Sequence, residues 1–529
     1  MSNQLTKKYG LVTAICTVVG TVIGSGVFFK AEKILTETGG NLPVGILAWI
    51  IGGIVMVACA YAFSILATKH EKVSGIVDYA EAMCGKKYAY FVGWFLAVFY
   101  YPTLTSVLAW VSSRYLCVLL GDSVGWGITG PQCMTIAGVI LIAMFTMNTL
   151  APKLAGKFQV SATFIKLIPL FLMAIIGTVK GLSGDQLLIE NFKTVVDESI
   201  PVSSGLFKAV VATAFAYEGW ICATAINAEL KDAKKNLPRA LVIGTLIIVA
   251  VYIIYYVGLA GGITNEAMMQ GGEQGAKDAF GAVFGKLGNL LFVFVVISCL
   301  GTTNGLTLGC TRAFYSIATR DLGVKPAIFK QVDPETSMPT NSSYLGLLVS
   351  SLWLLFFYGS QLDTPWFGNF SFDSSELPII TTYAMYIPIF VAMFIKSKDL
   401  SFIKGKVAPV LAIIASIFMI IAAIFAHGIA PYQKAKANGE FSLPVLFYLI
   451  TFAVLMIIGA AFMRNNKKLI TAVLIAIIVV IAGVLGFKFL NSSNDVTATD
   501  ASATDVIAEE TTAEIIIEED TSTPITVEQ

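Results

Sequence analysis

The sequence predicts an all-α polytopic membrane protein built as two inverted five-helix repeats followed by peripheral helices. Three observations carry that expectation: the composition, a succession of apolar runs, and interruptions inside the first and sixth of those runs. Of 529 residues, 56% are hydrophobic and 13% charged, a balance that excludes a soluble domain. The formal net charge is +1, and no basic face of the kind that neutralises phosphates is present, which argues against nucleic acid as a partner.

A helix crossing a bilayer needs about 20 apolar residues. Thirteen runs meet that need, at approximately 10–29, 43–68, 88–119, 131–150, 158–179, 204–227, 238–261, 284–317, 341–359, 374–396, 407–427, 442–463 and 468–490. The first lacks a cleavage site and is followed by many more, so it reads as a retained span and not a signal peptide. Lysine and arginine crowd alternate loops, for example Lys69 and Lys72, Lys153 and Lys157, and Lys396 to Lys406, while the intervening loops hold far fewer, Lys30 and Lys33 among them. That bias predicts a multi-pass protein of the cell membrane with residues 1–9 cytoplasmic. The stretch 491–529 turns abruptly to Thr, Ala, Asp and Glu and reads as a disordered acidic tail on a side that the span count leaves open.

Residues 20–29 read Gly-Thr-Val-Ile-Gly-Ser-Gly-Val-Phe-Phe. Glycine costs a helix interior about 1 kcal/mol relative to alanine, and unpaired amides in hydrocarbon cost more, so such a break persists where it lines a cavity or binds something. Small residues also let membrane helices pack closely, and both readings stand at this point. A second interruption lies at 214–220, Ala-Phe-Ala-Tyr-Glu-Gly-Trp, with Glu218 about 20 Å from the start of its run. An ionisable group at that depth needs a partner or water. Breaks in the first and sixth runs occupy matching places in two five-helix blocks, 10–179 and 204–396, so the core spans 10–396 and residues 407–490 are peripheral. Half-helix N-termini attract anions, so the freed amides of the first break suit a carboxylate, and the paired breaks point to a site at mid-depth between the two blocks.

Three ordered segments, IGSGVFF (23–29), FAYEGW (215–220) with ELKDAKKNLPRA (229–240), and GTTNG to TRAFYSIATRD (301–321), resemble the amino acid–polyamine–organocation transporter superfamily, closest in flavour to L-type and bacterial amino-acid permeases. The resemblance covers roughly 8–463 and implies a LeuT-type fold of ten core and two peripheral spans, with the thirteenth run beyond it. It implies that the backbone around Ile23, Ser25 and Gly26 cradles the substrate carboxylate and that carbonyls of Phe215, Ala216 and Glu218 receive the ammonium. Phe215 and Trp220 are then gating aromatics or packing residues. Lys166, about nine residues into its run, stands near where sodium-coupled relatives bind a cation; it is either a coupling group that exchanges a proton or a fixed tie between helices, Glu218 being one partner considered. Many relatives carry a small residue where Glu218 stands, so its side chain narrows substrate choice, favours a cationic side chain, or faces a polar gap. The acidic residue common at the end of the second span is absent from Tyr61-Ala62-Phe63-Ser64.

The expected activity is secondary active transport of amino acids by alternating access, as an exchanger or a proton-coupled symporter, with an amino-acid sensor or a polyamine or basic amino-acid antiporter as alternatives. A channel fits poorly, because broken helices suit alternating access around a midplane site. An enzyme is not expected: the two histidines are His70 and His427, and no HExxH, GxSxG or paired-carboxylate motif occurs. No metal or cofactor is expected, and the eight cysteines, without a CxxC, read as packing residues. Protons are a candidate second cargo; oligomeric state is not legible.

Overall fold

Hydrocarbon offers backbone groups no partner, so each apolar run must close its own hydrogen bonds, and a helix does that within the segment. The computed structural model describes residues 10–69, 75–124, 130–184, 186–220, 230–362, 364–368, 371–439 and 441–463, and these form helices joined by short loops. The first span is a bent pair, Leu11–Val22 and Ser25–Glu37, with 51° between its halves. The second to fifth are Leu42–Lys69, Lys86–Gly121, Gly130–Leu150 and Pro152–Leu182. The sixth contributes the shorter apolar helix Val202–Ala216. The seventh to twelfth are Lys234–Ala260, Leu287–Ala318, Thr340–Ser360, Leu377–Lys396, Ile403–Ala437 and Pro444–Met463. Every expected run up to residue 463 thus contains a helix. The thirteenth run and the acidic tail lie outside the described residues.

Prolines explain the irregular turns. Pro102 has no N–H to offer Val98, four residues earlier, and the third span loosens into a π-helical turn over Leu96–Tyr100. The Trp353 indole takes up the released Val98 carbonyl at 2.9 Å. Pro169 acts likewise on the fifth span, which divides at Lys166 into Pro152–Ile165 and Leu167–Leu172.

Small residues then bring backbones together, as association between membrane helices requires. A Cβ on Gly258 of the seventh span would lie 2.2 Å from the Met173 carbonyl of the fifth, so only glycine permits that crossing. Large apolar side chains such as Ile54, Phe164, Leu352 and Ile414 are left exposed on the span surfaces, where lipid is their solvent.

Candidate functional site

The break in the first span leaves a row of backbone groups without helical partners. The Ile23 amide still closes on the Val19 carbonyl at 2.9 Å, Gly24 is extended, and a new helix starts at Ser25. The Ser25 amide donates to Thr302 Oγ1 of the eighth span at 3.2 Å, and that hydroxyl donates to the Ser298 carbonyl at 2.9 Å. Among the described residues the amides of Gly26, Val27 and Phe28 have no partner, and the hydroxyl of the fully buried Ser25 has none either. Each buried donor left unmet costs about 1–3 kcal/mol. Converging amides at a helix N-terminus form an anion site, which a carboxylate would satisfy.

On the other side of the break, carbonyls are released, and each described partner comes from a different span. Gly20 would have accepted from Gly24 in an unbroken helix; instead Lys166 Nζ donates to its carbonyl at 2.7 Å. An ammonium on the last carbonyls of a helix also suits its dipole. Lys166 thus joins the fifth span to the first, and among the described residues its partner is this carbonyl and not Glu218. The Tyr252 hydroxyl of the seventh span reaches the carbonyls of both Val22 and Ala216, each at 3.1 Å, and so pins the two breaks side by side.

The sixth span stops at Ala216. Gly219 sits at φ 106°, a conformation L-residues avoid, and a Cβ there would lie 2.8 Å from the Thr21 carbonyl. A Cβ on Gly26 would lie 2.6 Å from Ala216 Cα. The structure thus brings Gly26 against Phe215 and Ala216, and Thr21 and Val22 against Gly219, backbone on backbone, while the Glu218 carboxylate meets Tyr100. The close-packing reading of the glycines holds at Gly26, second residue of the half-helix Ser25–Glu37, since a side chain on it would strike Ala216. Of the carbonyls expected to receive an ammonium, that of Phe215 is reached by the Glu218 amide at a long 3.4 Å, and that of Ala216 is shared with Tyr252. Residues 221–229, where the sixth run continues, lie outside the described residues.

Phe215 and Trp220 face different clusters. The Phe215 ring meets Phe29 edge-on at 5.8 Å, and Lys30 Nζ lies 5.2 Å from the centre of the Phe215 ring. Trp220 packs on Phe63 at 5.7 Å and Tyr386 at 6.2 Å. Phe63 in turn touches Tyr79, whose neighbour Asp78 is bound by Arg320 at 2.5 Å.

Lys30 is the largest departure from the sequence reading, which placed it in a loop. The helix runs on to Glu37, and Lys30 is fully buried one turn beyond Gly26. Its ammonium pairs with Glu376 at 2.6 Å and Ser375 at 3.1 Å. Lys33 bridges Glu376 and Asp373, both at 2.8 Å, and His427 Nε2 of the eleventh span lies 3.0 Å from Glu376. A buried cation four residues past a mid-membrane glycine is a legible signal once the run is allowed to extend beyond its apolar part. Thr302 and Tyr252, also missed, carry no signal beyond a hydroxyl in an apolar helix.

A span broken at mid-length, with its break set against the end of a second apolar helix, fits the broken-helix class of membrane carriers. The amino acid permease family model matches residues 9–452, and the chain belongs to that family, within the amino acid–polyamine–organocation superfamily. It is 29% identical over 426 residues to the serine/threonine exchanger SteT of Bacillus subtilis, covering 79% of this chain and 91% of that protein. It is 25% identical over 376 residues to the human large neutral amino acids transporter small subunit 2, covering 69% and 68% respectively. The crystal structure of MhsT in complex with L-phenylalanine superposes with a TM-score of 0.56 at 14% identity, over 80% of this chain and 100% of that one, which shows the LeuT-type fold. Family and relatives are transporters and not enzymes.

Proposed function

We propose that this protein carries an amino acid across the cell membrane by alternating access, gripping its α-carboxylate on the amides of Gly26, Val27 and Phe28 and its α-ammonium on the carbonyl side of the sixth-span break. The unmatched amides beside the buried, unpaired Ser25 hydroxyl are the observation that supports this reading most. Both the exchanger named among the relatives and a proton-coupled symporter fit this site. With the N-terminus inside, the ion cluster around Lys30 lies on the outer side of the site and the Trp220 cluster on the inner side, so Phe215 and Trp220 would gate opposite entrances. Lys166, fixed on the Gly20 carbonyl, would tune how readily the first span moves against the fifth.

The test is counterflow in vesicles holding purified protein. Vesicles loaded with an unlabelled amino acid should accumulate its labelled form, and a sensor would bind it without moving it. In the same vesicles Lys166→Ala should change the transport rate or its pH profile with little change in ligand affinity. Lost affinity with an unchanged rate and profile would make Lys166 a binding residue.

A further inference from the structure

Glu218 differs from the two buried lysines near the breaks. Lys30 is neutralised by Glu376, and Lys166 is satisfied by a carbonyl. The Glu218 carboxylate accepts from the Tyr100 hydroxyl, and among the described residues no lysine, arginine or histidine pairs with it. Phe215, Ala216, Tyr217 and Trp220 around it are buried, whereas Glu218 itself is half-buried, so it is the side chain of this turn that keeps access to open space. Tyr386 of the tenth span packs on Trp220, 6.2 Å between ring centres, and Tyr383 lies 5.5 Å from Tyr386; neither hydroxyl makes a hydrogen bond among the described residues. Gly219, locked against Thr21, holds the turn in place.

A carboxylate at this depth without a counter-cation is costly, and a bound cation removes that cost. The proposed main-chain grips account for both charges of a zwitterion, so the additional positive charge belongs on the side chain. We propose that Glu218, with Tyr100, Tyr383 and Tyr386, forms a side-chain subsite for an amine or guanidinium, and that the substrate is an amino acid of net positive charge. This rests on the amino-acid reading above and adds the class of substrate to it.

The probes are lysine, arginine, serine, leucine and glutamate, each titrated in thermal-shift and counterflow measurements on the full-length protein. Lysine or arginine should act at concentrations at least tenfold below those of serine, leucine and glutamate. Glu218→Gln should erase that advantage and Glu218→Asp retain most of it. Serine or leucine acting in the wild type at concentrations equal to or below those of lysine and arginine would overturn the proposal, as would a cationic preference surviving in Glu218→Gln. Should Glu218→Gln fail to fold, the wild-type ranking and the Asp variant decide by the same criteria. If no amino acid binds or moves, the broader transport reading fails; if only neutral ones do, that reading stands and this proposal alone is lost.

Discussion

Lys30→Met is expected to lower transport at least tenfold and to reduce the unfolding midpoint of the purified protein. The methionine keeps an apolar stem but removes the ammonium that lies near the Phe29 and Phe215 rings and leaves Glu376 with one cation fewer in a buried place. Removing one partner of a buried pair costs roughly 3–5 kcal/mol, and the remaining Lys33 and His427 contacts to Glu376 should hold the loss toward the lower end. The double variant Lys30→Met with Glu376→Gln removes the stranded charge, so it should regain stability. If the pair only props the helices, transport returns with it. If the pair must part and re-form in each cycle, as a closure over the Phe215 side would, transport stays low in a stable protein. Full transport by Lys30→Met would show that the cluster has no part in the cycle.

Gly219→Val should abolish uptake while the protein still reaches the membrane. The positive φ at Gly219 is adverse for any L-residue and worse for a β-branched one. A Cβ would also press on the Thr21 carbonyl, pushing the sixth-span turn off the first-span break. Gly219→Ala should retain a small fraction of activity, because it shares the strain but adds less bulk. Gly138 of the fourth span has open space where a Cβ would go, so Gly138→Ala is the control and should transport normally. Wild-type uptake by Gly219→Val would mean that the two breaks need not touch.

The spans, the break in the first and the end of the sixth-run helix at Ala216 were legible because they depend on local chemistry: runs of apolar residues, and glycines where a helix would otherwise persist. The partners of the breaks were not. Nothing in the chain order indicates that Lys166 reaches back to the Gly20 carbonyl, or that Tyr252 bridges Val22 and Ala216, since those contacts exist only after four spans have packed. Lys30 was misplaced for a related reason. Its charge reads as the end of a span in sequence, whereas Glu376, 346 positions away, makes its burial tolerable. Gly26 shows the limit from the other direction, for its place at the break was legible from the motif, but its contact with Ala216 needed the sixth span in position.

Equilibrium competition binding, with the best-bound amino acid set against its decarboxylated and its deaminated analogues, bears most directly on the grip between the two breaks. Each analogue keeps the side chain and loses one of the two groups assigned to the Gly26–Phe28 amides and the sixth-span carbonyls. Both should bind at least 100-fold more weakly than the parent, since each leaves buried, charge-complementary groups unmet. An analogue lacking the α-carboxylate or the α-amine that competes as well as the parent would contradict the assignment of this site to an amino acid.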